Sequence, residues 1–144
     1  MIVDRAALGI GEEFRHWSGD RAEDHIGPFF YLPVAPGRVE TRCRVQPHHV
    51  NTYGSVHGGV LMAFADYTLC LAGIGSEADH VVTVSATCDF VAGARDGELL
   101  RGEGEATRVA GSLAFTRAVL SVERDGRKVV LMTASGVLKR LRKD

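Results

Sequence analysis

Two kinds of hydrophobic pattern divide this 144-residue chain. From Val60 to Ile74 the residues read Val-Leu-Met-Ala-Phe-Ala-Asp-Tyr-Thr-Leu-Cys-Leu-Ala-Gly-Ile, apolar on every helical face except at Asp66. The run predicts a helix from about Val56 to Ile74 that is buried all round rather than laid on a surface. Elsewhere the pattern is strand-like. Residues 28–34 hold Phe29, Phe30, Tyr31 and Leu32, and Pro36-Gly37 marks a turn into a second strand over 38–45. Beyond the helix, 80–92, 98–109, 112–123 and 128–140 read as longer strands. Arg95-Asp96-Gly97 and Arg124-Asp125-Gly126 read as hairpin turns, because Asp-Gly supplies the positive φ that tight hairpins need, and Ala110-Gly111-Ser112 reads as a third turn. One long apolar helix followed by consecutive hairpin strands is an α+β pattern with an antiparallel sheet. A sheet wrapped around the helix explains why the helix has no polar face.

Residues 1–26 form a lead-in to this single domain of 1–144, with a short helix expected through Gly11–Trp17. Phe14 and Trp17, three apart, would share a face and anchor that helix on the body, or else line a pocket. Composition narrows the possibilities. Hydrophobic residues make up 45% and charged residues 24%, as in ordinary soluble domains, and a net charge of −1 argues against a nucleic-acid partner. The basic tail Lys139-Arg140-Leu141-Arg142-Lys143 is expected to be solvated, with contact to the phosphates of a nucleotide-bearing substrate as a second reading. Cys43, Cys70 and Cys88 make an odd count without CxxC spacing, which suggests packing residues in a reducing cytoplasm. The N-terminus lacks the organisation of a secretory signal, and the apolar run is too short and too interrupted for a comfortable membrane span.

Chemistry centres on Asp66. A carboxylate in that helix loses hydration at a cost of several kcal/mol unless it is paired or protonated. It either serves structure, as a cap or buried ion pair, or it is functional, with burial expected to raise its pKa. Upstream, Asn51-Thr52-Tyr53-Gly54-Ser55-Val56-His57-Gly58-Gly59 is a flexible polar loop feeding into the helix, with Ser55 a plain candidate for its N-cap. A helix start carries free N–H groups and the positive dipole end, so it can polarise a carbonyl oxygen. His57 and Asp66 are nine residues apart, about 13.5 Å of rise and half a turn out of phase, so one helix cannot join them in a dyad. A two-fold dimer can supply the loop of one copy to the Asp66 of the other.

Asn51, His57-Gly58-Gly59 and Asp66 in an apolar helix, followed by Val81-Val82-Thr83-Val84-Ser85-Ala86-Thr87-Cys88-Asp89-Phe90-Val91-Ala92-Gly93-Ala94, resemble the hotdog-fold acyl-CoA thioesterases of the phenylacetate-pathway (PaaI-like) branch of the 4-hydroxybenzoyl-CoA thioesterase superfamily. The resemblance spans roughly residues 27–139. It departs at Gly93, where many relatives carry proline, a change near the mouth of the site that bears on substrate preference more than on chemistry.

The resemblance implies hydrolysis of aryl or medium-chain acyl-CoA in a homodimer or a dimer-of-dimers tetramer, without metal or redox cofactor. Gly58 N–H would bind the developing oxyanion, and Asn51 would hold the thioester or the water. Asp66 of the partner copy would be general base or nucleophile, and Thr83 would orient the water, although threonine is also a favoured strand residue. His57 would polarise the carbonyl or shape the loop, and Gly59, Val60, Met62 and Tyr67 would contact substrate. His48, His49 and His57 lack the partners of a metal site, and no Gly-x-Ser-x-Gly elbow is present. Hydratases and dehydratases share the fold, but their acid–base motifs are absent. A non-catalytic acyl-CoA-binding or regulatory module is the alternative; it would keep Gly58 and the pocket and have no need of Asp66.

Overall fold

The computed structural model describes residues 3–74 and 79–142. In chain order it holds β1 (Arg15–His16), α1 (Arg21–Ile26), β2 (Phe30–Ala35), β3 (Arg38–Arg44), a 3-10 turn (Pro47–His49), α2 (Gly58–Gly73), β4 (Asp79–Phe90), β5 (Leu99–Ala110), β6 (Leu113–Arg124) and β7 (Arg127–Arg142). All pairings are antiparallel, in the order β1-β2-β3-β5-β6-β7-β4. The sheet wraps α2, giving the hotdog fold.

The helix and the six longer strands fall within about two residues of the sequence expectation. The β6–β7 hairpin turns on Asp125 and Gly126, with φ of 51° and 74°, as a tight primed turn demands. Residues 95–97 do turn, with Gly97 at φ 83°, but they do not close a hairpin. The neighbour of β4 is β7, so segment 91–98 carries the chain across the fold instead. The Gly97 N–H bonds the Val45 carbonyl at 3.1 Å, and Glu98 forms an ion pair with Arg124 at 2.7 Å.

Helix and sheet meet closely because β5 offers glycines to α2. A Cβ at Gly102 would strike Thr41 Oγ1 and lie 2.8 Å from Thr68 Oγ1; at Gly104 it would lie 2.9 Å from the Thr68 carbonyl oxygen. Thr68, the polar residue at this contact, is satisfied: its hydroxyl is 2.7 Å from Thr41 Oγ1 and donates to the Phe64 carbonyl at 2.9 Å. Phe64, Leu69, Leu100, Leu120 and Met132 complete a fully buried core.

Two further expectations change. The helix is not buried all round: Gly59 and Met62 are exposed, and Ala63, Asp66 and Cys70 are partly so, a stripe at helical spacing. The sheet covers only one side of α2. The lead-in helix sits at 21–26, not 11–17. Arg15 and His16 instead pair with Tyr31 and Phe30 at the edge of β2, and Phe14 packs with Ile10 and Phe30. Asp20 accepts the Glu23 N–H at 3.0 Å and starts α1, an Asp-x-x-Glu signal for a helix start. Among the described residues, no helix is long and apolar enough to cross a membrane.

Candidate active site

The loop before α2 is pinned at both ends. Asn51 Oδ1 accepts the N–H groups of Tyr53 at 2.9 Å and Ser55 at 3.2 Å, and Gly54 closes the turn at φ 83°. The N–H groups of Val56 and His57 bond the carbonyls of Ala94 at 2.9 Å and His49 at 2.8 Å. His57, rather than Ser55, caps the helix: its Nδ1 accepts the Gly59 N–H at 2.9 Å. No acceptor among the described residues takes the Gly58 N–H, which leaves one donor at the positive end of α2 for a ligand oxygen. A Cβ at Gly58 would lie 3.3 Å from the Phe90 ring, at the end of β4. Gly93, the departure from the resembling family, packs against this loop, where a Cβ would lie 3.2 Å from Ser55 Oγ.

The second group lies farther along α2. Thr83 Oγ1, on β4, donates to Asp66 Oδ1 at 2.5 Å. Cys70, one turn beyond Asp66, places Sγ 3.4 Å from Thr83 Oγ1. They border a cavity of about 390 Å³ together with Tyr67 from the helix and Trp17 and Glu23 from the lead-in. Burial pushes the Cys70 thiol up to about 12 despite the opposing hydrogen bond from Thr83, so it is no thiolate nucleophile near neutral pH. Burial, then the hydrogen bond with Asp20 and the charges of Asp20, Asp24 and Asp66, raise Glu23 to about 8. A neutral carboxylic acid therefore shares the cavity with Asp66 at pH 7. Tyr67 is buried between the Phe29 and Tyr31 rings, 5.2 and 6.5 Å away, and its hydroxyl has no partner among the described residues.

The site residues expected from sequence thus form two groups within one copy. Asp66 and Thr83 touch. Asn51, His57, Gly58 and Gly59 gather at the helix start, and eight residues, about 12 Å of rise, separate Gly58 from Asp66. Tyr67 lines the Asp66 cavity, Met62 lies half exposed on the open stripe, and Val60 borders a different cavity beside Gln46, His48 and His49. A 3-10 turn brings the rings of the adjacent His48 and His49 to a centroid distance of 4.0 Å, tilted by 46°. Both nitrogens of His49 are used: Nε2–H donates to the Ile26 carbonyl at 2.5 Å and Nδ1 accepts the Gln46 N–H at 2.9 Å. Among the described residues, no group of three or more His, Cys, Asp or Glu could hold a metal ion. In the basic tail Arg140 pairs with Asp79 at 3.0 Å, while Lys143 and the Arg142 side chain lie outside the described residues. Glu23 escaped the sequence reading. Its one signal, the spacing from Asp20, marks a helix start and says nothing of which cavity that helix reaches.

A model of the thioesterase superfamily matches residues 53–129, from the loop through β6 into the start of β7. A Pseudomonas aeruginosa protein named as a candidate esterase is 32% identical over 116 residues, covering 79% of this chain and 84% of that one. Two solved structures share the fold. The PaaI protein of the Escherichia coli phenylacetic acid degradation operon has a TM-score of 0.76 at 16% identity, covering 85% of this chain and 86% of its own. A hypothetical thioesterase of Streptococcus pneumoniae, solved with coenzyme A, has a TM-score of 0.70 at 18% identity, covering 80% and 87%. The match to more than half of the chain, together with the relative of similar length, establishes that this chain belongs to the thioesterase superfamily.

Proposed function

We propose that the chain hydrolyses acyl-CoA thioesters at a site shared by two copies of itself. The observation that carries this reading is Asp66, held by Thr83 at 2.5 Å in a cavity, with the unengaged Gly58 N–H about 12 Å away along the same helix. A thioester carbonyl cannot reach both within one copy. Gly58 lies beside Phe90 at one end of β4, and Asp66 beside Thr83 nearer the other end. Pairing β4 antiparallel with its own copy exchanges the ends, laying the helix start of one subunit toward the Asp66 of the next. The surface supports such a pairing: β4 is the sheet edge, and Val84, Phe90 and Met62 are 60%, 54% and 49% exposed.

In this reading the thioester oxygen lies on the Gly58 N–H. Asp66 Oδ2, the oxygen that Thr83 does not use, takes a proton from water as the water oxygen bonds to the carbonyl carbon. The oxyanion then collapses, the carbon–sulfur bond breaks with its electron pair on sulfur, and the thiolate recovers the proton. The products are free acid and CoA thiol. Coenzyme A as carrier draws support from the Streptococcus pneumoniae relative, and three free cysteines support a reducing cytoplasm.

The test is thiol release from phenylacetyl-, benzoyl-, hexanoyl- and lauroyl-CoA by wild type and Asp66→Ala, with oligomeric state measured alongside. Loss of about 10²–10⁴ in kcat in a folded dimeric variant supports the reading. Binding without thiol release by the wild type refutes it in favour of a binding module. A single turnover in ¹⁸O-water identifies a nucleophile that is released by water at its own carbonyl, because label enters the Asp66 carboxylate only when a mixed anhydride is opened there.

A further inference from the structure

Beside the Asp66 cavity lies a second, of about 530 Å³, and the two share Trp17, Leu71 and Ile74. Its character differs. The first gathers Asp20, Glu23, Asp66 and Asp79, whereas the second is bounded by apolar side chains such as Val34, Val39 and Val109, with Arg15 and Arg38 the charged residues. Val34 and Val109 are 50% and 48% exposed, so this apolar surface is left uncovered in the chain as it stands. Leu71 and Ile74 follow Asp66 by five and eight residues, so the shared wall begins about 7.5 Å along α2 and ends about 12 Å away, at the C-cap Ile74. Trp17 stands in that wall. It belongs to no helix and to no strand, and its ring rests on Tyr31 at a centroid distance of 6.1 Å.

We infer that Trp17 is a specificity-determining gate between two compartments of one acyl channel, and that the second compartment receives the distal half of a long aliphatic acyl chain. The inference rests on the acyl-CoA reading and names its substrate class. A thioester carbonyl at Asp66 directs an extended chain along α2, and covering 12 Å takes roughly ten carbon–carbon bonds of about 1.5 Å in zigzag. Shorter acyl groups end in the first cavity. Longer ones must pass the indole and then cover the open apolar surface of Val34 and Val109, which is where the favourable burial lies.

Trp17 is also the only tryptophan in the chain, so its emission reports directly on the gate. The experiment has two arms. In the first, the wild type is titrated with the non-hydrolysable thioethers S-hexyl-CoA and S-dodecyl-CoA. The dodecyl compound is expected to shift Trp17 emission strongly and the hexyl compound several-fold less. In the second arm, kcat/KM is measured for hexanoyl-, decanoyl-, dodecanoyl- and palmitoyl-CoA with wild type, Trp17→Ala and Trp17→Ala/Val109→Phe. Trp17→Ala is expected to raise the dodecanoyl-to-hexanoyl ratio at least ten-fold, and filling the second cavity with Val109→Phe to return it toward wild type. Equal emission responses to both thioethers overturn the inference. So does a ratio that Trp17→Ala leaves unmoved, or a gain that survives Val109→Phe. A chain-length-dependent emission shift without hydrolysis of any ester keeps the channel and refutes the thioesterase reading.

Discussion

Raising the pH from 6 to 9 should destabilise this protein through Glu23. Its carboxyl is raised to about 8, first by burial and then by the hydrogen bond with Asp20 and the charges of Asp20, Asp24 and Asp66. An unfolded chain releases that proton near the ordinary value of 4.5. Between those values the folded state holds a proton that the unfolded state has lost, so stability falls as pH rises through the window and levels off above about 8. Each pH unit across it is worth at most about 1.36 kcal/mol. Glu23 is only partly buried, and solvent screening trims the total to on the order of 1–2 kcal/mol. Urea unfolding of wild type and Glu23→Gln at pH 6, 7, 8 and 9, at one protein concentration, measures the effect. Glutamine stays neutral, so the variant should lose most of the slope between pH 6 and 8 and be the more stable protein at pH 9. Identical slopes in the two proteins would refute the placement of Glu23 in the acidic cavity.

Two further perturbations probe the site and its scaffold. Thr83→Val removes the hydroxyl that bonds Asp66 from an exposed position on β4, so kcat should fall about ten-fold, close to 1.4 kcal/mol, while the melting temperature stays nearly fixed; an unchanged kcat would show that Thr83 does not orient the carboxylate. Gly102→Ala forces a methyl group between Thr41 and Thr68, and should cost about 1–3 kcal/mol in denaturant unfolding. Gly111→Ala, at an open turn, offers a control without the collision, although its φ of 60° carries strain of its own.

Much of this architecture is legible in the sequence, because its elements are long and locally consistent. Alternation and Asp-Gly turns place the β-strands, and an apolar run of helical length places α2. The errors share one physical origin, which is partner choice at long range. Phe14 and Trp17 satisfy a helical spacing, yet the segment gains more by pairing Arg15 and His16 with the β2 edge. Asp96-Gly97 has hairpin chemistry, but β4 finds its neighbour in β7, some forty residues further on. The apolar run hides its open stripe, since an exposed apolar face has the same residue types as a core. Asp66 and Thr83 could be paired in advance only through the family resemblance, because the helix-to-strand contact depends on the wrap of the sheet. Glu23 was beyond reach for the same reason.

The order of strands has a consequence for synthesis. β4, which carries Thr83, is made well before β7, the one strand among the described residues that hydrogen-bonds to it. From Phe90 to Arg142 the ribosome adds another 52 residues, which at typical rates takes about 3–10 s. During that interval both edges of β4 are open, and Val82, Val84 and Phe90 have no sheet to lie in. The strand bearing Thr83 is therefore seated last, after α2 and its carboxylate have emerged. A nascent chain stalled before β7 would hold Asp66 without the strand that positions it, and would offer chaperones an unpaired hydrophobic ribbon.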